Sequence, residues 1–178
     1  LSAWCNITFS NTDASPLYYG AKLYINDMEL TELVVPSGIK QINRFAFYKY
    51  KSLKKVTIGD GVTLIGDAAF LGCSSLASVT ISDDVVSIGG SAFYACSSLA
   101  SINIPDGVNR IGDEAFYKCS SLPSIDIPDA VASIGESAFY GCTSLTSAVI
   151  GDGVNSMGNS VFYSCSSLSS VIMGSGIT

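Results

Sequence analysis

The stretch Ile102–Leu122, I-N-I-P-D-G-V-N-R-I-G-D-E-A-F-Y-K-C-S-S-L, decides the fold, because nearly the same run recurs along most of the chain. Its phenylalanine, Phe116, returns every 23 residues as Phe47, Phe70, Phe93, Phe139 and Phe162. Leucine keeps the same beat at Leu30, Leu53, Leu76, Leu99, Leu122, Leu145 and Leu168. A fixed period of this length marks a solenoid, in which each unit buries its apolar face only against its neighbours.

Read from the leucine, the unit is L-x-S-V-x-I-P-D-G-V-x-x-I-G-x-x-A-F-Y-x-C-S-S. The L-x-x-V-x-I part, as in Leu76, Val79 and Ile81, places three apolar side chains on the buried side of a short strand. Seven such strands stacked at the ~4.8 Å spacing of a sheet predict a parallel sheet roughly 30 Å long. Pro105-Asp106-Gly107 breaks the strand with turn-forming residues. V-x-x-I-G then predicts a second strand, and A-F-Y-x-C a short helical turn leading to the next leucine. The Phe column is expected to form a stacked spine. Gly66, Gly89, Gly112, Gly135 and Gly158 are expected to supply either a positive φ or room for a neighbouring backbone.

Residues 1–29 do not keep the beat and are read as a capping segment; residues 30–178 hold six full repeats and a truncated seventh. Leu23-Tyr24-Ile25 and Leu33-Val34-Val35, on either side of Asn26-Asp27, predict a β-hairpin docked on the first coil. Trp4, Ile7, Phe9, Leu17, Tyr18 and Tyr19 offer apolar surface to cover the open end of the stack. No matching segment follows Val171 and Met173, and the chain opens without Met and stops partway through a repeat, so further repeats are expected beyond it.

The pattern of Ile102–Leu122 resembles the BspA-type leucine-rich repeats of bacterial cell-surface proteins, and the resemblance covers about residues 30–178. Tyr50 in place of Cys, Met157 in place of Ile and Ala148 in place of Val or Ile depart mildly from it. The resemblance implies a right-handed β/α coil stack with a parallel sheet on one face. It also implies a secreted or surface-anchored, often host-associated bacterial protein that acts in adhesion or protein binding, with no single ligand named.

Composition narrows the chemistry. The chain of 178 residues contains no histidine, which removes His-dependent triads and most zinc sites. The acids Asp60, Asp83, Asp106, Asp129 and Asp152 recur at the turn and are read as turn-formers in preference to a calcium row or a pair of catalytic carboxylates. Five of six cysteines (Cys73, Cys96, Cys119, Cys142, Cys165) are one position repeated, with Cβ vectors expected to run parallel, so they are read as free, buried, apolar filler. No enzyme activity, metal or cofactor is expected. Asn6-Ile7-Thr8 matches a glycosylation sequon that matters only in a eukaryotic secretory pathway.

Net charge is −6, but residues 1–55 carry a net +3 and residues 56–178 a net −9. Lys40, Arg44, Lys49, Lys51, Lys54 and Lys55 crowd into one short stretch, either a patch for an anionic partner or a solubilising edge. The acidic remainder argues against nucleic acid. Two ladders are candidate interaction surfaces. One is the residue after each Phe: Tyr48, Tyr94, Tyr117, Tyr140 and Tyr163, with Leu71 between the first two; these rings either contact a partner or pack over one another. The other is the outward strand face with Lys55, Ser78, Ser101, Ser124, Ser147 and Ser170, and two residues later Thr57, Thr80, Asn103, Asp126, Val149 and Ile172; Lys54 beside it joins the candidate surface. The expected function is a monomeric, non-enzymatic module that binds a protein or glycan partner, host extracellular matrix among the candidates; the alternative is a spacer that holds other domains away from the cell.

Overall fold

In the computed structural model, which describes residues 1–176, each repeat makes one turn of a three-sided coil. The chain begins with α1 (Ser2–Cys5), two 3-10 turns (Thr12–Ala14 and Pro16–Tyr19) and a hairpin of β1 (Tyr24–Ile25) and β2 (Met28–Glu29). The first side of the stack carries β3 (Glu32–Val34), β5 (Lys55–Ile58), β7 (Ser78–Ile81), β9 (Ser101–Ile102), β11 (Ser124–Ile127), β13 (Ser147–Ile150) and β15 (Ser170–Met173). The second side carries β4 (Gln41–Ile42), β6 (Leu64–Ile65), β8 (Ser87–Ile88), β10 (Arg110–Ile111), β12 (Ser133–Ile134) and β14 (Ser156–Met157). All strands of both sides pair in parallel and in the register of the repeat, Val56 with Val79 and Ile88 with Ile111.

The second side is one unbroken sheet of six strands, but the first is divided into β3-β5-β7-β9 and β11-β13-β15. A single seven-strand sheet is therefore not formed, and proline explains the gap. Ser82 N–H donates to Ile58 O and Gly151 N–H to Ile127 O; the equivalent residues between them, Pro105 and Pro128, have no N–H to give. Pro123 likewise removes the bond that Ala77 and Ala100 make to the preceding coil.

The third side differs from the expected helical turn. Ala92, Tyr94 and Cys96 donate N–H groups three residues back, to Gly89, Ser91 and Phe93, while Ser91, Phe93 and Ala95 donate to Asp113, Ala115 and Tyr117 of the next coil at 2.7–2.8 Å. A helix would use every N–H inside its own coil; this alternation sends every second one to the neighbour. It requires a left-handed backbone at Ser91 (φ 52°) and Ala95 (φ 54°), and the other coils repeat it. Each such non-glycine residue costs about 1–2 kcal/mol, offset by a short inter-coil bond.

Inside the coils the phenylalanines form the expected spine. Consecutive rings from Phe47 to Phe162 lie 5.2–5.5 Å apart with planes within 12° of parallel. Phe47, Phe70, Phe93, Phe116 and Phe139 are fully buried. The cysteines are free and all but half-covered Cys165 are buried, yet they are more than filler. Each repeated thiol donates to the Phe carbonyl of the preceding coil, as Cys96 does to Phe70 at 3.2 Å. Burial pushes the Cys73, Cys96 and Cys119 thiols well up from their ordinary range. The repeated glycines serve close approach, not positive φ: a Cβ on Gly66 would lie 2.7 Å from Ile42 O, and one on Gly112 2.5 Å from Gly90 N.

The hairpin also differs in its second arm. Asn26 and Asp27 (φ 49° and 63°) form a two-residue turn that pairs Ile25 with Met28, leaving Leu30 to start the repeat and Leu33 to join β3. Tyr24 and Met28 face solvent, and the end of the core is covered instead by Cys5, Phe9, Leu17 and half-buried Trp4.

These contacts predict three outcomes. Phe116→Ala should destabilise the domain by about 3–5 kcal/mol, read by chemical denaturation. Gly112→Ala should cost about 1–3 kcal/mol through its clash with the coil before it, whereas the same position in the first coil, Asn43, should accept Gly at a cost near one hydrogen bond. In a thiol-reagent time course on the native protein, Cys165 should react well ahead of Cys73, Cys96, Cys119 and Cys142; equal rates would mean that the column is not buried.

Candidate functional site

Because every inward position is fixed by stacking, the surfaces are the outward rows, and strand alternation defines two of them on the first side. Glu32, Lys55, Ser78 and Ser101 follow one another in register, as do Ser124, Ser147 and Ser170 beyond the proline break. In the second row Val34, Thr57 and Thr80 are direct neighbours, and Asp126, Val149 and Ile172 are direct neighbours. Asn103 lies between the two groups, where pairing lapses. Lys54 sits at the entry to β5 with its N–H bonded to Thr31 O. Lys55, Thr57, Thr80, Asn103 and Asp126 thus share one face, with Lys54 at its edge.

The tyrosines lie elsewhere, on the third side. Tyr94, Tyr117, Tyr140 and Tyr163 stack face to face at 4.6, 4.6 and 5.2 Å, so their flat surfaces are engaged with one another and their edges meet solvent. Tyr94, Tyr117 and Tyr140 are half-buried, while Tyr163 is 62% exposed. Burial, reinforced by Tyr117 and Glu114, pushes the Tyr94 phenol up. Tyr48 is buried and stands apart from this row, because Leu71 interrupts it; Tyr48 stacks instead on Tyr18 at 5.9 Å, with the Lys49 ammonium over both rings.

Three of the five turn carboxylates are engaged structurally. Asp60 accepts a bond from Ser82 Oγ, Asp129 from Asp152 N–H, and Asp152 from Ser175 N–H and Oγ, each one coil on. The Ser175 bonds hold the Asp152 carboxyl below the usual carboxylate range. Among the described residues no group of three or more potential ligands is arranged for a metal ion.

A groove of about 1100 Å³ runs along the third side, and the sequence reading did not identify it. Its floor is the residue before each Cys, or before Tyr50 in the first coil (Lys49, Gly72, Ala95, Lys118, Gly141, Ser164), and the residue after it (Lys51, Ser74, Ser97, Ser120, Thr143). The signal was present in the repeat: neither position ever carries a large apolar side chain.

The BspA type leucine rich repeat region model matches this chain over residues 18–120 and 88–178, with six copies. No curated protein matches the chain significantly. Among solved structures, a leucine-rich repeat protein of T. pallidum (TpLRR) is 33% identical with a TM-score of 0.77, over 80% of this chain and 69% of that one. A leucine-rich cell surface protein of Faecalibacterium prausnitzii A2-165 is 30% identical with a TM-score of 0.63, over 81% of this chain and 48% of its own. A leucine-rich repeat protein of Bacteroides ovatus shares the fold at 24% identity (TM-score 0.65), over 82% of this chain and 46% of its own. The chain thus spans about half the length of the last two. With the repeat, the coil and the family model in agreement, the chain belongs to the BspA-type leucine-rich repeat family.

Proposed function

We propose that this domain is a non-enzymatic adhesion module, secreted or displayed at the cell surface, that binds a partner protein through the outward face of its first side. One observation carries the reading: the inward residues hardly vary, while the outward row runs Val34, Thr57, Thr80, Asn103, Asp126, Val149, Ile172. Such a row presents a different side chain at each coil on a rigid, preorganised surface, so little ordering entropy is lost when several weak contacts form together. Glu32, Lys54 and Lys55 at one end and Asp126 toward the other give the face charged groups on either side of a neutral middle. The cell-surface relative of F. prausnitzii supports the location, as does the family. No helix among the described residues is long and apolar enough to cross a membrane. The regularity of the interior favours a second reading, a spacer that holds other domains away from the cell.

Binding of the purified domain to immobilised extracellular-matrix proteins, at low and physiological salt, tests the proposal. Asn103→Arg and Asp126→Lys should each weaken saturable binding at least tenfold with unchanged thermal midpoint, and Tyr163→Ala should leave it intact. Loss with Tyr163→Ala alone would move the site to the third side. Absence of binding to every matrix protein would leave the spacer as the better reading.

A further inference from the structure

We propose that the groove of the third side binds a linear acidic polysaccharide, with carboxylates spaced along its length, lying parallel to the solenoid axis. This rests on the reading of the domain as a binding module but assigns a separate surface. From Lys49 to Ser164 the groove crosses five coil steps, roughly 24 Å at the sheet spacing. That is the shape of an extended chain, not of a compact ligand.

Charge selects the chemistry. Lys22, Lys49, Lys51 and Lys118 line the groove, and no carboxylate does, although the chain as a whole is net −6. Lys22 is engaged by Glu29 at 2.8 Å, but Lys49, Lys51 and Lys118 make no ion pair among the described residues. Lys49 is instead held above the Tyr18 ring at 4.6 Å and Lys118 above Tyr117 at 5.4 Å, which positions both cations without neutralising them. Lys49 and Lys51 stand at one end and Lys118 three coils on, and cations at two separated points of the groove suit a polymer of low charge density, such as alternating uronic acid and neutral sugar, better than a densely sulfated one.

The backbone distinguishes a glycan from a peptide. An extended peptide gains affinity from a free strand edge. Here Lys49, Gly72, Ala95, Lys118 and Gly141 have all given their N–H groups to the next coil at 2.6–2.9 Å, so the floor has no such edge. What it offers instead is a hydroxyl row. Ser97, Ser120 and Thr143 each donate one coil back, to Ser74, Ser97 and Ser120 carbonyls, leaving their lone pairs toward the groove as acceptors. These hydroxyls recur once per coil, a spacing close to the advance of an extended polysaccharide per sugar.

Calorimetry with size-defined hyaluronan oligosaccharides at low and physiological salt tests this, with a neutral cellulose oligosaccharide and poly-glutamate as comparisons. Saturable binding of hyaluronan is expected, falling at least tenfold in Lys49→Gln and in Lys118→Gln and persisting in Lys54→Gln, which removes the same charge from the strand face. Poly-glutamate should bind at least tenfold more weakly. Equal loss in Lys54→Gln would reduce the effect to diffuse electrostatics and overturn the site; equal binding of poly-glutamate would make the partner an acidic peptide. No binding by protein whose thermal midpoint is normal would also overturn it. Asn103→Arg and Asp126→Lys separate the two surfaces, since they should weaken matrix-protein binding at least tenfold while leaving hyaluronan binding unchanged.

Discussion

The hydrogen bond between equivalent backbones of consecutive coils is the interaction on which everything else here depends. It runs on all three sides: parallel pairing on the first and second, and alternate N–H groups on the third. Once it fixes the spacing, each side chain must fit directly above its own counterpart. Planar rings satisfy that demand by stacking, which is why Phe forms the spine and Tyr a second column outside it. A small thiol satisfies it by reaching the carbonyl one coil back. At the corner after the second strand the backbones approach so closely that only glycine fits.

Such a stack has no coil before its first one, and the sequence departs from the repeat where that matters. Asn43 occupies the glycine position because nothing precedes it, and its amide bonds Ile7 O of the cap at 3.2 Å. Tyr50 replaces the cysteine whose carbonyl partner does not exist there; it is buried and its hydroxyl donates to Leu30 O at 2.8 Å and accepts from Leu23 N–H, tying down the base of the hairpin. Trp4 Nε1 donates to Ala46 O at 2.8 Å, the carbonyl that in the next coil, as Ala69 O, receives the N–H of Phe47. An indole thus stands in for a missing backbone donor. The Tyr50 substitution, which in the sequence alone reads as a mild departure from the repeat, is a compensation.

What the sequence revealed and what it hid follow from the same constraint. Period 23 and apolar alternation identify the inward residues, because burial acts on the side-chain type that a sequence displays. The third side was misread as helical because its distinguishing feature is a left-handed backbone at residues such as Ser91, Glu114 and Lys118, which are not the glycines that normally signal it. The proline break was legible in principle, but only after the strand N–H groups of Ser82 and Gly151 were known to point at the preceding coil. Among the candidate site residues, the strand-face set was placed together as the alternation implied. The tyrosine set was divided by Leu71 and turned upon itself, since whether a ring meets solvent or another ring depends on the coil spacing, not on its position in the repeat.

The same constraint assigns specificity to a small part of the molecule. An inward substitution meets the coils on both sides and is penalised by both, so evolution of a partner site there would cost the fold. Three of the turn carboxylates are equally committed, since Asp60 accepts from Ser82 Oγ and Asp129 and Asp152 accept the N–H groups of the following coil. What remains free is the outward rows of the sides and the floor of the third-side groove, and residue type changes from coil to coil there: Val34, Thr57, Asn103 and Asp126 on the first side, Lys40, Thr63, Val86 and Asn109 on the second, and Lys49, Gly72 and Ala95 in the groove. Lysines at two separated coils of one groove, with no carboxylate in its lining, set the third side apart from the net negative charge of the chain as a whole.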